Sequence, residues 1–129
     1  MAGIGGCMPY KILIVDDEKD IVFVLRMALQ KEGYATDEAN DGIEALQRVA
    51  IEKPDLILLD LMMPKMDGYS VNIKLKENKE TADIPIIVAT GKGQLKELLQ
   101  IREELKVTDY LEKPFTVKML LEKIRLILK

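Results

Sequence analysis

Short apolar runs alternate along the chain with longer segments in which apolar residues recur every three or four positions. The short runs predict strands at residues 11–15, 34–39, 55–59, 85–89 and 109–111. In Ile12-Leu-Ile-Val15 and Leu56-Ile-Leu-Leu59, no polar residue interrupts the apolar ones. Such runs are typical of strands that are buried on both faces of a parallel sheet.

The longer segments predict helices at residues 21–31, 43–51, 68–78, 94–105 and 116–128. In the first of these, Ile21, Leu25, Ala28 and Leu29 share one stripe, and Gly33 tolerates the left-handed conformation of a helix end. The helix over 68–78 has the sparsest apolar stripe, which consists of Tyr69, Val71, Ile73 and Leu75. Each predicted strand is therefore followed by a predicted helix.

Strands that alternate with helices predict an α/β fold, in which helices cover both faces of a parallel sheet of five strands. The 129 residues suffice for one domain with a single sizeable core. We assign this domain to residues 10–129. Residues 1–9 contain several glycines and are expected to be a flexible or artificially added lead-in.

Composition narrows the class of protein. Apolar residues make up 48% of the chain and charged residues 32%, as in water-soluble globular proteins. No apolar stretch reaches the roughly 20 residues that span a bilayer, so we expect no membrane contact. The net charge of -3 argues against direct nucleic-acid binding. A single cysteine, Cys7, and the absence of histidine exclude an internal disulfide and a His/Cys metal site, and favour the cytoplasm.

Polar residues follow the predicted strands at their carboxyl ends, where open parallel sheets bind ligands. These residues are Asp16, Asp17 and Glu18 after the first strand, Asp60 after the third, Thr90 after the fourth and Lys113 after the fifth. Taken alone, Asp16 or Asp17 fits a helix cap, and Lys113 fits a solvated lysine, better than a functional group. Their convergence at one edge of the sheet favours a common site.

Several carboxylates at one edge repel one another unless a cation neutralises them. Because the available ligand atoms are oxygens, they favour Mg²⁺ or a similar ion such as Mn²⁺. Asp60 follows an almost wholly apolar strand and is the candidate nucleophile, since an aspartate can hold a phosphoryl group as an acyl phosphate. Lys113 supplies a cation, and Thr90 a hydrogen-bond donor, for the phosphoryl oxygens.

These residues and their spacing resemble the receiver domain of two-component response regulators. The resemblance covers residues 10–128 and rests on Asp16-Asp17, Leu59-Asp-Leu-Met-Met-Pro-Lys-Met-Asp-Gly68, Thr90 and Asp109-Tyr-Leu-Glu-Lys-Pro-Phe115. It implies a flavodoxin-like fold with strand order 2-1-3-4-5. It also implies a cytoplasmic phosphorelay, in which a histidine kinase or a histidine phosphotransfer protein donates a phosphoryl group to Asp60.

The resemblance implies a role for each residue of the site. Asp17 and Asp60 would bind Mg²⁺ directly, and Asp16 would act mainly through a metal-bound water. The backbone carbonyl of Met62 would complete the protein ligands. Lys113 would contact the phosphoryl group, so that Asp60 and Lys113, together with Thr90, form the catalytic set.

Thr90 and Tyr110 would be the switch residues of this resemblance, the hydroxyl moving toward the phosphoryl group while the ring turns inward. The output face would consist of the helix predicted at 94–105, the strand at 109–111 and the helix at 116–128, which are the family's helix 4, strand 5 and helix 5. This face would bind a downstream protein or an effector domain. We expect a monomer or a weak homodimer formed through the same face.

Some residues depart from the family pattern. Lys106-Val107-Thr108 replaces the usual glycine-alanine pair and predicts a different loop shape, and Gly91-Lys92-Gly93 adds a flexible lysine near the phosphoryl group. Met62 places an apolar side chain beside the path of attacking water, which predicts slow self-hydrolysis. The sequence does not decide the isomer of the Lys113-Pro114 peptide bond. Most X-Pro bonds are trans, but a cis bond would turn the lysine toward the site.

Other functions fit part of this pattern. A metal-dependent phosphohydrolase that forms an aspartyl phosphate shares the chemistry, but it needs an acid two positions after the nucleophile, where Met62 stands. A scaffold module would have no use for the complete set of active residues. We therefore predict a switch with at most self-phosphorylation and self-dephosphorylation activity, either as a stand-alone protein or as part of a larger one.

Overall fold

The computed structural model describes residues 9–61, 68–91 and 107–128. Its strands are β1 (Lys11–Val15), β2 (Ala35–Ala39), β3 (Leu56–Asp60), β4 (Ile86–Thr90) and β5 (Asp109–Glu112). Its helices are α1 (Lys19–Lys31), α2 (Gly42–Ile51), α3 (Gly68–Glu77) and α4 (Val117–Ile127). Each corresponds to a predicted element, whereas the helix predicted at 94–105 lies outside the described residues.

The strands form one parallel sheet in the order β2-β1-β3-β4-β5. This is the flavodoxin-like order that the resemblance implied, so the predicted fold class is confirmed. The side chains of β1, β3 and β4 are almost entirely buried, which explains their unbroken apolar runs. β2 is an edge strand, and its more polar sequence Ala-Thr-Asp-Glu-Ala fits its partial exposure.

Two apolar clusters lie on opposite faces of the sheet. On one face, Leu13 and Leu59 pack with buried residues of α2 and α3. On the other, Ile14 and Leu58 pack with buried residues of α1 and α4. Alternate side chains of one strand thus enter different clusters, as the pleat of a strand requires. Because the helices cover the two faces of the sheet, the carboxyl ends of the central strands remain accessible, and polar residues lie there.

The structure corrects the predicted faces of two helices. In α1, Val22 is buried together with Leu25 and Leu29, while Ile21 is only partly covered. In α3, Asn72 is buried and Ile73 is 50% exposed. Val71 and Leu75 of the predicted stripe are buried, but Asn72 is buried in place of Ile73, because Asn72 lies one turn beyond the buried Gly68 and on the same side of the helix.

The end of α1 agrees with the sequence. Gly33 adopts φ 93°, in the left-handed region that glycine occupies without strain, and its N–H donates to the carbonyl of Gln30. Within the described residues, no helix has the length and apolar character needed to cross a membrane.

Candidate functional site

The carboxyl ends of the three central strands bring the predicted site residues together. Asp16 follows Val15, whose register partner is Leu59, and Asp60 follows Leu59 as the last residue of β3. Asp60 is in register with Ala89, so Thr90 lies next to it at the end of β4. Each of these polar side chains is almost fully buried, with exposures of 4% for Asp16, 5% for Asp60 and 0% for Thr90.

Asp16, Asp17 and Asp60 form an acidic cluster. Each offers one carboxylate oxygen, and these oxygens lie within 4.8 Å of one another. Asp16 and Asp60 are buried and Asp17 is exposed, so the cluster opens to solvent on one side. Closely spaced carboxylates of this kind fit a hard divalent cation, which prefers oxygen ligands.

Lys113 reaches this cluster from the segment that follows β5. Its ammonium Nζ lies 3.0 Å from Asp16 Oδ2 and 3.4 Å from Asp60 Oδ2. Its backbone N–H donates to the carbonyl of Thr90 at 2.7 Å, which fixes the start of the side chain beside β4. The Lys113-Pro114 peptide bond, whose isomer the sequence left open, is cis.

The electrostatics of Lys113 favour its charged form. Burial alone would lower its pKa, but the hydrogen bond to Asp16 and the charges of Asp60, Asp16 and Glu18 outweigh burial and raise the pKa above its usual value. The side chain is 20% exposed. Lys113 therefore offers a permanent cation, held between two buried carboxylates.

The carboxylate of Asp16 does not cap α1. Its Oδ1 accepts the backbone N–H of Glu18 at 2.9 Å, and its Oδ2 accepts from Lys113. The residue at the N-cap of α1 is Glu18, and it makes no side-chain cap hydrogen bond. The alternative in which Asp16 or Asp17 serves as a helix cap is therefore wrong for this chain.

Thr90 carries a buried hydroxyl with unused hydrogen-bonding capacity. Its Oγ1 has no hydrogen-bond partner in the described part of the chain, although the residue is fully buried. Leaving a buried hydroxyl without a partner is costly, and natural proteins rarely do so without a reason. The hydroxyl is thus available to a group that enters the crevice.

Tyr110 lies on β5, in register with Val88, and packs half-buried against the cluster beneath α2 and α3. Lys123 on α4 lies 5.9 Å from the centre of the tyrosine ring and pairs with Asp109 at 3.0 Å. The tyrosine sits two residues before Glu112, the register partner of Thr90. The predicted switch residues therefore occupy adjacent strands.

Gly68 is a site residue to which sequence reasoning gave no functional role. A Cβ at this position would lie 2.5 Å from the carbonyl oxygen of Asp60 and 2.6 Å from Leu61 Cα, which is too close for any side chain. Its N–H donates to the Leu61 carbonyl at 3.0 Å. Gly68 thus holds the start of α3 against the backbone that carries Asp60. The available signal was a glycine that opens a helix just after the Asp60 loop.

Glu18 is a second residue without a predicted role, since the sequence marked it only as the third acid after the first strand. Its Oε1 lies 3.5 Å from Lys113 Nζ. Met62, expected to offer a backbone carbonyl, and Lys92, noted near Thr90, lie outside the described residues.

Residues 12–125 match the family model of the response regulator receiver domain. The chain belongs to this family. The receiver domain is 40% identical over 120 residues to the DNA-binding dual master transcriptional regulator RpaA of Synechocystis sp., a match that covers 92% of this chain and 49% of RpaA. It is 41% identical over 123 residues to the alkaline phosphatase synthesis transcriptional regulatory protein PhoP of Bacillus subtilis, covering 95% of this chain and 50% of PhoP.

Among solved structures, the receiver domain is similar to the Vibrio cholerae chemotaxis protein CheY4. The TM-score is 0.86 and the identity 29%, with 93% of this chain and 99% of that chain covered. The chain spans about half the length of the curated relatives it matches. The predicted resemblance is confirmed: the chain is a receiver domain of two-component signalling, a class of signal switches rather than dedicated enzymes.

Proposed function

We propose that the receiver domain, residues 10–129, accepts a phosphoryl group on Asp60 in a reaction that depends on Mg²⁺ or Mn²⁺. The donor is a histidine kinase or a histidine phosphotransfer protein. The observation that carries this proposal is the position of Lys113 between two buried carboxylates: its ammonium nitrogen lies within 3.4 Å of an oxygen of Asp16 and of Asp60. A buried aspartate beside a fixed cation is poised to accept a negatively charged phosphoryl group, because the cation offsets the charge on the transferred oxygens.

In the reaction, an Asp60 carboxylate oxygen forms a bond to phosphorus. The phosphorus–nitrogen bond to the donor imidazole breaks, and the imidazole leaves with the electron pair. Because the aspartate attacks as an anion, no base is needed to activate it. Lys113 turns from Asp60 Oδ2 to the phosphoryl oxygens, and the Thr90 hydroxyl, which has no hydrogen-bond partner among the described residues, donates to one of them.

Asp16, Asp17 and Asp60, with the backbone carbonyl of Met62, would hold the divalent cation. The oxygen-only donor set supports this assignment, as does the position of the three carboxylate oxygens within 4.8 Å of one another. When bound, the cation offsets the negative charge that gathers where donor and acceptor meet. As the family resemblance implies, Asp17 and Asp60 would bind the cation directly, and Asp16, whose carboxylate is already tied to both Glu18 and Lys113, would act mainly through a metal-bound water.

Phosphorylation is read out by Thr90 and Tyr110. Movement of the Thr90 hydroxyl toward the phosphoryl group leaves space that the half-buried Tyr110 ring fills from the neighbouring strand. The predicted output face, of which β5 and α4 lie in the described part of the chain, would then change shape and bind a downstream protein or an effector domain. Two copies of the domain could also associate through this face as a weak homodimer.

The domain works in the cytoplasm, without membrane contact, after a lead-in at residues 1–9. We propose no direct nucleic-acid contact for the domain itself, whose sequence carries a net charge of -3. The relative RpaA is named as DNA-binding, and the matched segment covers 49% of it. DNA binding by a longer protein of this kind is compatible with the proposal.

The proposal is tested with Mg²⁺ and acetyl phosphate, followed by intact mass spectrometry. We expect a single phosphoryl adduct that is absent when Mg²⁺ is chelated and absent in Asp60→Ala. Hydrolysis of generic phosphate esters without an adduct would favour the phosphohydrolase instead. An adduct that persists in Asp60→Ala would place the acceptor elsewhere.

A further inference from the structure

The carboxylates around Lys113 differ in their freedom to move. Asp16, Asp60 and Glu18 lie 3.0, 3.4 and 3.5 Å from its ammonium nitrogen. The side chains of Asp16 and Asp60 are 6% and 7% exposed, whereas that of Glu18 is 58% exposed. Glu18 is therefore the neighbour that can bind and release Lys113 without any change in the core.

Glu18 is held near Lys113 by its backbone. Its N–H donates to Asp16 Oδ1 at 2.9 Å, which ties its main chain to a side chain that also binds Lys113. An N-cap side chain commonly accepts a hydrogen bond from its own helix, but that of Glu18 makes no such bond. Its carboxylate is directed to the site cation instead.

Glu18 and Lys113 also line one cavity of about 560 Å³ between α1 and the segment after β5. Apolar side chains such as Ile21, Leu25 and Phe115 form much of the remaining wall. A small anion that reaches Lys113 from this side passes the Glu18 carboxylate. The negative charge of Glu18 then acts on the donor before any bond is made or broken.

We propose that Glu18 is a positioning residue that selects against free, strongly anionic phosphodonors. It repels them at the cavity and competes with their phosphoryl oxygens for Lys113. This inference rests on the proposed phosphorylation of Asp60. With acetyl phosphate, an Asp60 oxygen bonds to phosphorus while the phosphorus–oxygen bond to the acetyl group breaks, and acetate leaves with the electron pair. Lys113 must leave Glu18 to meet the transferred group.

The test is Glu18→Gln, which keeps the side-chain length and removes the charge. We expect adduct formation from acetyl phosphate to become roughly two- to fivefold faster at low ionic strength, the range for an exposed ion pair. The gain should shrink as salt is added. It should also be smaller with phosphoramidate, whose net charge is less negative. Thermal melting and a Glu18→Ala variant, expected to change the rate in the same direction, check that the fold is kept.

Asp20→Asn is the matched control, because Asp20 is an exposed acid that lines the same cavity. A gain in Glu18→Gln that clearly exceeds the gain in Asp20→Asn supports the inference. Equal rate gains in the two variants would overturn the inference, because general charge repulsion would explain them. An unchanged or slower rate in Glu18→Gln would overturn it as well. If the unsubstituted protein forms no adduct on Asp60, the proposed function itself fails, and the two failures are thereby distinguished.

Discussion

Gly68 lies against the backbone of Asp60 so closely that a Cβ at position 68 would be 2.5 Å from the Asp60 carbonyl oxygen. The first turn of α3 is thus in contact with the residue proposed to carry the phosphoryl group. A backbone contact of this kind cannot be relieved by a side-chain rotation. Any residue other than glycine must displace either the helix or the end of β3.

We expect Gly68→Ala to lower the free energy of unfolding by roughly 1–3 kcal/mol, the usual cost of overpacking, and to slow phosphorylation because Asp60 moves. Urea denaturation and the rate of adduct formation measure the two effects. Gly33→Ala is the control, since position 33 has open space but a φ of 93°. It should destabilise the fold by roughly 1–2 kcal/mol and leave the phosphorylation rate unchanged. Normal phosphorylation of Gly68→Ala would contradict the role of this contact.

Thr90→Val tests the role of the buried Thr90 hydroxyl. Because Oγ1 is buried with no hydrogen-bond partner in the described residues, its removal should leave the unphosphorylated protein equally stable or up to about 1 kcal/mol more stable. The response to phosphorylation should weaken. Thr81→Val is the matched comparison, since Thr81 Oγ1 donates to the Leu75 carbonyl at 2.6 Å and its loss should destabilise the fold. Equal destabilisation by both substitutions would indicate a structural role for Thr90.

Lys113→Ala removes the cation between Asp16 and Asp60. We expect phosphorylation to slow by roughly 10²-fold, as for the loss of one preorganised charge at a reacting centre. We also expect Mg²⁺ to bind more tightly, because the carboxylates lose their internal counterion. Adduct kinetics and isothermal titration with Mg²⁺ measure these effects. Lys76→Ala is the control: Lys76 lies on α3, its ammonium donates to the Ala82 carbonyl, and its removal should alter neither the adduct kinetics nor Mg²⁺ binding. Weaker Mg²⁺ binding in Lys113→Ala would argue against a shared site.

Asp37 gives a prediction for the dependence of stability on pH. Burial would raise its pKa, but hydrogen bonds from Arg48 and from the Glu38 N–H outweigh burial and lower the pKa below its usual 3.8. Its stabilising effect should therefore be complete above the unfolded-state pKa of 3.8 and be lost as the pH falls through the lower folded-state pKa. As the pH falls, the free energy of unfolding of Asp37→Asn should approach that of the unsubstituted protein, which denaturation at several acid pH values measures. Asp83→Asn, at an exposed position, serves as the control. If Asp37→Asn and the unsubstituted protein still differ as much in unfolding free energy at low pH, the role assigned to Asp37 is wrong.

Met62 gives a prediction that rests on the sequence alone. An apolar side chain two positions after Asp60 has no group to orient an attacking water, so the acyl phosphate should persist. Met62→Asn introduces such a group and should shorten the lifetime of the phosphorylated protein. Decay of the adduct after removal of the donor measures this lifetime, and a longer one in the variant would show that the reasoning is wrong.

The sequence predicted the sheet well because its central strands are buried on both faces. Runs such as Ile12–Val15 and Leu56–Leu59 contain no polar residue, and a parallel sheet is the structure that accommodates them. The gathering of Asp16, Asp60 and Thr90 followed from the rule that parallel strands end at one edge. These inferences required only the order of elements and the residues at their ends.

Features that depend on tertiary distances were missed. Nothing in the apolar pattern distinguishes Asn72, which is buried, from Ile73, which is half exposed, because the rotation of α3 is fixed by the close contact of Gly68 with β3. The contact of Glu18 with Lys113 joins positions far apart in the chain, and a run of acids does not reveal which carboxylate faces a cation. The isomer of the Lys113-Pro114 bond likewise had to be observed.

The central claim is that Asp60 becomes an acyl phosphate. Its most direct test is to phosphorylate the protein with acetyl phosphate and Mg²⁺, reduce it with borohydride, and map the peptides by mass spectrometry. Borohydride converts an aspartyl phosphate to homoserine, so the modified residue is read directly. We predict homoserine at position 60 and none when Mg²⁺ is omitted. Homoserine at position 16 or 17, or none at any position under conditions that give a stable adduct, would contradict the account.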